Sequence, residues 1–253
     1  MKIAVILFPG TNCENETARA VIEAGMKAEI IRWNAGVNLE SYDGFVLPGG
    51  WSYEDRIRAG VISAQDPIML KIKEQAKQGK PVLGICNGCQ VLVETGMIPG
   101  LKDKIEMALA PNINPMVSGF YCTWTYLKAI TKKKTAFNLT FDENDILPIP
   151  IAHGEGRFTT IEKGLLKNLQ DNDQIMFRYC DREGNVEDKF PINPNGSIYN
   201  IAGICNKKGN VLAMMPHPER ASWLHQVPEK HSGAENRGPG LKIFESMREY
   251  LKK

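Results

Sequence analysis

The sequence predicts an α/β fold, in which helices cover both faces of a doubly wound, mostly parallel sheet that has an additional antiparallel strand excursion. In the first half of the chain, short continuous apolar runs alternate with helical patterns over short connections. That alternation is typical of parallel strands buried on both faces. The middle of the chain instead carries several short strand-like segments, which favour antiparallel pairing.

In the first half, apolar runs and their stop signals define each element. Strands are predicted at Ile3–Phe8, Ala28–Trp33, Phe45–Leu47 and Pro81–Ile85. The helices between them are expected to start at a capping box of Thr11 and Glu14, at the N-cap and first-turn pair Asp66-Pro67, and at Asn87. They are expected to end at Gly25, at Gly79 and at Glu94, close to Gly96.

The second half carries weaker patterns. Strands are predicted near 121–130, 156–161, 174–180 and 198–214. Thr135–Phe141 alternates apolar and polar residues, which is the period of a half-buried strand. The polar segment 221–240 is expected to be a surface loop, and Leu241–Leu251 a helix that packs on the sheet.

The composition is that of an ordinary globular protein, with 253 residues, 43% hydrophobic and 24% charged. By the length alone, one large domain or two small ones are expected. The net charge of +2 favours neither a nucleic-acid partner nor a membrane surface. No apolar run approaches the roughly 18 residues of a membrane helix. Six cysteines are too few for a disulfide scaffold and predict a reducing, cytoplasmic location.

Cys86 stands where a buried strand meets a helix, with Gly84 and Gly88 two residues to either side. This is the cysteine form of a nucleophile elbow, whose sharp turn exposes the central residue and requires small neighbours. The helix N-terminus favours the thiolate, and the amide of Asn87 is available to an oxyanion. We therefore expect Cys86 to be a nucleophile.

The pair Cys86 and Cys89 also fits a redox dithiol or half of a zinc site. A zinc site is disfavoured because no second Cys-x-x-Cys motif exists, and His225 and His231 lie in a polar loop without a nearby cysteine. No metal site is predicted. Cys89 is expected to be a packed residue one turn into the helix.

His217 and Glu219 follow an apolar run and are flanked by prolines that keep the backbone extended. Residues two apart in an extended chain project to the same side, so the carboxylate can orient the imidazole as a base for the thiol. Gly49 and Gly50 end a buried strand and can supply a second oxyanion amide.

Together these residues resemble the class I, triad-type glutamine amidotransferases. The pattern G-x-C-x-G-x-Q is met by Gly84, Cys86, Gly88 and Gln90. The blocks FPGTNCE (8–14), LPGGWSYEDRIRAG (47–60), GICNGCQ (84–90), IAHGEGRF (151–158) and MMPHPER (214–220) are similar to the family of glutaminase subunits of phosphoribosylformylglycinamidine synthases, which act in purine biosynthesis. The resemblance covers essentially the whole chain. It implies one amidotransferase domain over residues 1–253 with a flavodoxin-like core.

The resemblance also implies roles for individual residues. Cys86 would form a γ-glutamyl thioester and release ammonia, with His217 as base and acid and Glu219 orienting it. The backbone of Gly49, Gly50 and Asn87 would hold the oxyanion. Gln90, with the backbone near Gly154 and Glu155, would hold the amino-acid end of glutamine.

The expected partners are a separate synthetase subunit, which would bind ATP and Mg and use the ammonia, and a small third subunit. No cofactor is expected in this chain, which has no phosphate-binding Gly-Lys-Ser/Thr motif. His153, Arg157, Arg56 and Arg58 are candidates for contact with a partner, although local ion pairs explain Arg56 and Arg58 equally well. Extra length is expected in 106–150 and 221–240. Cys13 is expected near the site without an assigned role.

Two other functions remain open. One is a cysteine-dependent enzyme of the same fold that serves a different partner, or a hydrolase, because fold alone does not define function. The other is a non-enzymatic redox protein that uses Cys86 and Cys89 as a dithiol.

Overall fold

The computed structural model describes residues 1–102, 104–142, 145–228 and 236–253. The strands in these ranges are β1 (Lys2–Leu7), β2 (Lys27–Arg32), β3 (Gly44–Leu47), β4 (Val82–Ile85), β5 (Ala108–Ala110), β6 (Tyr121–Ala129), β7 (Ile146–His153), β8 (Arg157–Thr159), β9 (Ile175–Cys180), β10 (Ile201–Cys205) and β11 (Val211–Met214). The α-helices are α1 (Glu14–Glu23), α2 (Val61–Ala64), α3 (Pro67–Lys77), α4 (Asn87–Glu94), α5 (Leu165–Asp171) and α6 (Leu241–Leu251).

Nine strands form one mixed sheet in the order β2-β1-β3-β4-β11-β10-β9-β6-β7. The neighbours from β2 to β11 are parallel, and those from β11 to β7 are antiparallel. A separate antiparallel pair joins β5 and β8. The predicted α/β architecture, a parallel sheet with an antiparallel extension, is therefore confirmed.

The centre of the sheet is buried on both faces, as the apolar runs predict. Every residue of β3, β4 and β11 is buried, whereas the edge strand β2 is largely exposed. Helix α4 packs on these central strands, and α1 contacts α6 elsewhere in the fold. The carboxyl ends of β1, β3 and β4 point to one edge of the sheet, where ligands bind in open α/β folds.

Two local predictions were wrong, and a third was incomplete. Thr135–Phe141 forms turns rather than a strand, because the side chain of Asn138 accepts hydrogen bonds from the amide of Thr135 (2.7 Å) and from its hydroxyl (3.0 Å). The capping box at α1 does not form. Cys13 is the N-cap instead, and Thr11 Oγ1 accepts from the amide of Phe8 at 3.1 Å. The segment 198–214 contains two strands, β10 and β11, that pair as a hairpin.

Strand β7 was not predicted, and it contains Pro148 and Pro150, residues that are unfavourable inside a strand. In the structure β7 lies at the edge of the sheet and pairs only with β6 among the described strands. Proline is tolerated there because an edge strand has one side free of ladder hydrogen bonds. The carbonyl of Pro150 faces that side and accepts the amide of His217 at 2.8 Å. This bond ties the edge strand to the end of β11.

The segment 221–240 is only partly described. Trp223 and Arg237 form an isolated antiparallel bridge, and His231 lies outside the described residues. The predicted C-terminal helix corresponds to α6. Across the described ranges, no helix combines the length and apolarity that a membrane crossing requires.

Candidate active site

Cys86 occupies the turn between β4 and α4 in the strained conformation expected of a nucleophile elbow. Its φ of 51° and ψ of −106° lie outside the usual regions for a non-glycine residue. The two glycines are sterically required. A Cβ on Gly88 would lie 2.0 Å from the carbonyl oxygen of Leu47, and one on Gly84 would lie 2.5 Å from that of Gly88. The thiol is 3.6 Å from the carbonyl oxygen of Ala152.

His217 and Glu219 form a buried pair directly after β11. Nδ1 of His217 lies 2.6 Å from Oε1 of Glu219, and neither residue is more than 1% exposed. Burial opposes protonation of the imidazole most strongly. The Glu219 carboxylate and the thiols of Cys86 and Cys13 outweigh it and raise the pKa of His217 well above its usual value. Nε2 is buried without a hydrogen-bond partner, so it is the ring nitrogen that is free to exchange a proton with a reacting group.

Gly49 lies next to the side chains of Cys86, His217 and Cys13. A Cβ there would be 2.8 Å from Cε1 of His217, 3.3 Å from Sγ of Cys13 and 3.4 Å from Cβ of Cys86. The Gly49 carbonyl accepts the amides of Asn12 (3.1 Å) and Cys13 (3.2 Å). In a trans peptide the next N–H points the opposite way, so these bonds fix the direction of the Gly50 amide. The Asn87 amide, at the first position of α4, has no acceptor within its helix.

A cavity of about 360 Å³ opens beside Cys86. It is lined by Asn12, Cys13, Gly50, Trp51, Asp55, Cys86, Gln90, Phe120, Cys122, Ala152, His153, Gly154, Glu155, His217 and Arg220. The structure thus brings Cys86 and His217 of the predicted triad, and the predicted glutamine-holding residues, to one cavity, while Glu219 contacts His217 without lining it. Their chemical roles remain predictions.

One wall of the cavity is a hydrogen-bond network around Asn87. Its side-chain nitrogen donates to Oε1 of Gln90 (2.9 Å) and to Oδ1 of Asp55 (3.0 Å). Gln90 in turn donates to the carbonyl of Glu155 at 2.7 Å. The buried Gln90 is therefore held from both ends of its amide, and it places the 154–155 backbone opposite the elbow.

Asp55 is a site residue that the sequence analysis missed. Burial and the nearby Glu155 carboxylate raise its pKa to about 6, although the hydrogen bond from Asn87 acts in the opposite direction. Asp55 lies within the motif block 47–60, but no spacing pattern in the sequence predicts a role for it. Two carboxylates on the cavity wall make that wall electronegative, which suits a cationic group of a ligand.

His153 is a second histidine in the cavity. It is only 3% exposed, so the structure does not favour its contact with a partner, which stays a prediction. Its Nδ1 lies 3.1 Å from Oδ1 of Asn112. Burial and the neighbouring His217 lower the pKa of His153 to about 3, so it is neutral at physiological pH. Since His217 pairs with a carboxylate and His153 with an amide oxygen, His217 is the better candidate for the base.

The three predicted contact arginines make local contacts. Arg58 forms a bidentate pair with the buried carboxylate of Glu94 (2.8 and 2.5 Å), and Arg56 pairs with the exposed Glu54 at 2.7 Å. Arg157 donates to the carbonyl of Pro111 at 3.0 Å. The ion-pair interpretation of Arg56 and Arg58 therefore matches the structure, while contact with a partner stays a prediction for all three.

The other two cysteines of the motif blocks differ sharply. Cys89 is fully buried, and burial raises the pKa of its thiol well above the usual value, so it is a packing residue as predicted. Cys13 lines the cavity, and its sulfur accepts a hydrogen bond from the guanidinium of Arg220 at 3.0 Å. Sequence spacing could not indicate this contact, because the two residues lie at opposite ends of the chain.

The fold, the elbow cysteine and the buried histidine–glutamate pair define a glutamine amidotransferase. Residues 1–251 match the model of the CobB/CobQ-like glutamine amidotransferase domain. The chain is 48% identical to phosphoribosylformylglycinamidine synthase subunit PurQ of Methanothrix thermoacetophila, over 99% of this chain and 98% of that one. It is 43% identical to the PurQ subunit of Pyrococcus horikoshii, with both chains covered completely.

Among solved structures, the chain is similar to the structure of PurLQS from Thermotoga maritima. The TM-score is 0.77 at 32% identity, and the match covers 99% of this chain and 98% of that one. The protein therefore belongs to the PurQ family of glutamine amidotransferases.

Proposed function

We propose that this chain is the glutaminase subunit of a phosphoribosylformylglycinamidine synthase. It hydrolyses L-glutamine and supplies the ammonia to a separate synthetase subunit. The observation that carries this proposal is the buried 2.6 Å contact between His217 and Glu219 beside the elbow thiol of Cys86, in a chain so similar to PurQ subunits.

In the first half-reaction, Sγ of Cys86 attacks the carboxamide carbon of glutamine. Nε2 of His217 accepts the thiol proton, while Glu219 holds the proton on Nδ1 and stabilises the imidazolium. His217 then gives its proton to the leaving nitrogen. The C–N bond breaks, ammonia departs, and the γ-glutamyl group remains on Cys86 as a thioester.

In the second half-reaction, a water molecule attacks the thioester carbon. His217 removes a proton from the water and returns it to the sulfur as the C–S bond breaks. Glutamate is released, and the thiol and the neutral imidazole are restored. The negative charge that develops on the carbonyl oxygen in both steps would be held by the amides of Gly50 and Asn87, with Gly49 setting the direction of the first.

The amino-acid end of glutamine would bind at the opposite wall. The carboxylates of Asp55 and Glu155 attract the α-ammonium group, and the backbone of Gly154 and Glu155 supplies polar groups that Gln90 holds in place. This arrangement selects a free amino acid rather than a peptide, because a peptide nitrogen carries no positive charge.

The ammonia would pass to a synthetase subunit that converts formylglycinamide ribonucleotide to formylglycinamidine ribonucleotide. ATP and Mg would bind in that subunit rather than in this chain. A small third subunit would complete the assembly, and we propose a cytoplasmic location for it. The exposed Arg56 and the partly exposed Arg157 are available for contact with these partners.

The test is labelling of the full chain with a glutamine-like diazo-ketone, followed by intact mass and peptide mapping. One adduct on Cys86 that excess glutamine prevents is expected. The experiment is repeated with the synthetase subunit, together with an assay of formylglycinamidine ribonucleotide formation from glutamine and from ammonium salts. An adduct on another residue in both experiments would refute the assignment of Cys86.

The alternative is a glutaminase of the same fold that serves a different partner. That alternative predicts the same Cys86 adduct but no glutamine-dependent formylglycinamidine ribonucleotide with the cognate synthetase. The labelling and the product assay therefore separate the chemistry of this chain from the identity of its partner.

A further inference from the structure

Cys13 places a second thiol beside the histidine–glutamate pair. One ligand atom each of Cys13, His217 and Glu219 lies within 4.8 Å of the other two, and all three residues are buried. Neither the G-x-C-x-G-x-Q motif nor the mechanism proposed above uses this thiol. Nδ1 of His217 lies 2.6 Å from Oε1 of Glu219, and Oε2 of Glu219 is buried without a hydrogen-bond partner, so a ring nitrogen and a free carboxylate oxygen lie together.

This donor set is that of a soft divalent cation. Sulfur, imidazole nitrogen and carboxylate oxygen are the three zinc ligand types, with bond lengths of about 2.0 to 2.3 Å. Tetrahedral bonds of that length hold ligand atoms about 3.5 Å apart. Donors that already lie within 4.8 Å of one another need to close by about 1 Å, which side-chain rotation provides.

We propose that Cys13, His217 and Glu219 form an inhibitory binding site for Zn²⁺ within the active site. This proposal rests on the proposed function, because the site shares its histidine with the catalytic triad. Zn²⁺ replaces the thiol proton of Cys13, which leaves to solvent, and takes the Nδ1 lone pair of a neutral His217 whose one ring proton is then on Nε2. While the metal is bound, His217 has no free lone pair for the proton of Cys86, so glutamine hydrolysis stops until the metal is removed.

Arg220 would compete with the metal for the sulfur of Cys13. Its guanidinium donates to the Cys13 sulfur at 3.0 Å, and its Nε lies 3.9 Å from Oε1 of Glu219. The guanidinium therefore lies beside two of the three proposed ligands, Cys13 and Glu219, where Zn²⁺ would bind. Because the Arg220 side chain is 38% exposed, it can turn towards solvent when the metal binds. Binding thus exchanges one positive neighbour of Cys13 for another.

The cavity offers a matched control. Cys122 also lines it, but this cysteine is exposed and does not belong to the cluster. A general affinity of cavity thiols for metal would involve Cys122, whereas the proposed site requires Cys13. The nucleophile provides a second comparison, because the proposed site does not require the sulfur of Cys86.

The experiment titrates the full chain with Co²⁺ as a spectroscopic probe, without glutamine, and then displaces Co²⁺ with Zn²⁺. We expect one Co²⁺ per chain with a near-ultraviolet sulfur-to-cobalt band. Cys13→Ser should lose that band and bind Zn²⁺ about tenfold or more weakly. Cys122→Ser and Cys86→Ala should keep the band. An unchanged titration in Cys13→Ser, or loss of the band in Cys86→Ala, would overturn the proposal.

A second measurement needs no substitution. X-ray absorption at the zinc edge of the unmodified chain, loaded with one Zn²⁺, should show one sulfur ligand at about 2.3 Å together with nitrogen and oxygen ligands. A coordination shell without sulfur would contradict the site. Both measurements are independent of turnover, so a failure of the glutaminase assignment would appear only in the diazo-ketone experiment.

Discussion

Nδ1 of His217 and Oε1 of Glu219 lie 2.6 Å apart in a region that solvent does not reach. The carboxylate therefore holds the proton on Nδ1 and leaves Nε2 as the nitrogen that exchanges a proton with the reacting groups. This contact also distinguishes His217 from His153, which contacts an asparagine instead and whose pKa is lowered to about 3.

Glu219→Gln should lower kcat for glutamine hydrolysis by about 10²- to 10⁴-fold, because an amide can donate to Nδ1 and stabilise the wrong tautomer. KM should change little. The pKa of His217, measured by NMR titration, should fall because the substitution removes the strongest group that raises it. Glu245→Gln, at a surface pair with Arg237, is the control and should change neither quantity. A normal kcat in Glu219→Gln would refute the triad.

Cys86→Ala should lower glutamine hydrolysis by about 10⁴-fold or more, since no other group of the elbow supplies the thiolate. Cys89→Ala should retain most of the activity, because Cys89 is a packed residue one turn into α4. Steady-state glutaminase assays on the two variants provide the comparison. Equal losses would favour a dithiol function over a nucleophile.

Gly49→Ala should abolish glutaminase activity while the chain still folds. The new Cβ would lie 2.8 Å from Cε1 of His217 and 3.4 Å from Cβ of Cys86, so the imidazole and thiol must move apart. Gly36→Ala is the control: its Cβ would meet nothing within 4 Å, and its positive φ of 64° should cost only about 1 kcal/mol. Circular dichroism and glutaminase assays separate the two effects. Full activity in Gly49→Ala would show that this glycine does not set the triad geometry.

Asp55→Asn should raise KM for glutamine about tenfold at pH 8, because the α-ammonium loses a charged partner. In the unmodified protein, KM should rise as the pH falls through about 6, where Asp55 gains its proton. The variant should lack this dependence. Initial rates across pH 5 to 8 provide the check. A KM that rises in the same way in both proteins would place the titrating group elsewhere.

The same substitution makes a separate prediction about stability. The pKa of Asp55 is raised to about 6 in the folded state, above its value of 3.8 in a model peptide. The folded state therefore binds this proton more tightly, and the stabilisation is fully present below pH 3.8 and lost as the pH rises through 6. Asp55→Asn should raise the free energy of unfolding by about 1 kcal/mol at pH 7 and change it little at pH 4. Urea unfolding at the two pH values measures the difference.

Sequence patterns predicted the parallel half of the sheet because buried strands need continuous apolar runs, as in β3 and β4. They failed in two places, for different reasons. Thr135–Phe141 has the period of a strand, but a local contact, from the Asn138 side chain to Thr135, closes it into turns. Pro148 and Pro150 are unfavourable in a strand, yet the edge position of β7 removes the penalty. The second outcome could not be predicted without knowing which segments lie side by side.

For the active site, the sequence by itself determined the residues whose geometry is local. The sharp turn at Cys86 and the two-residue spacing of His217 and Glu219 depend on short-range geometry. The tertiary structure alone decided that Gly88 packs against the carbonyl of Leu47, that Asp55 joins the site, and that Cys13, expected nearby, contacts Arg220. Cys13, Asp55 and Arg220 come from loops far apart in the chain, and they meet because the parallel strands deliver their carboxyl ends to one edge of the sheet.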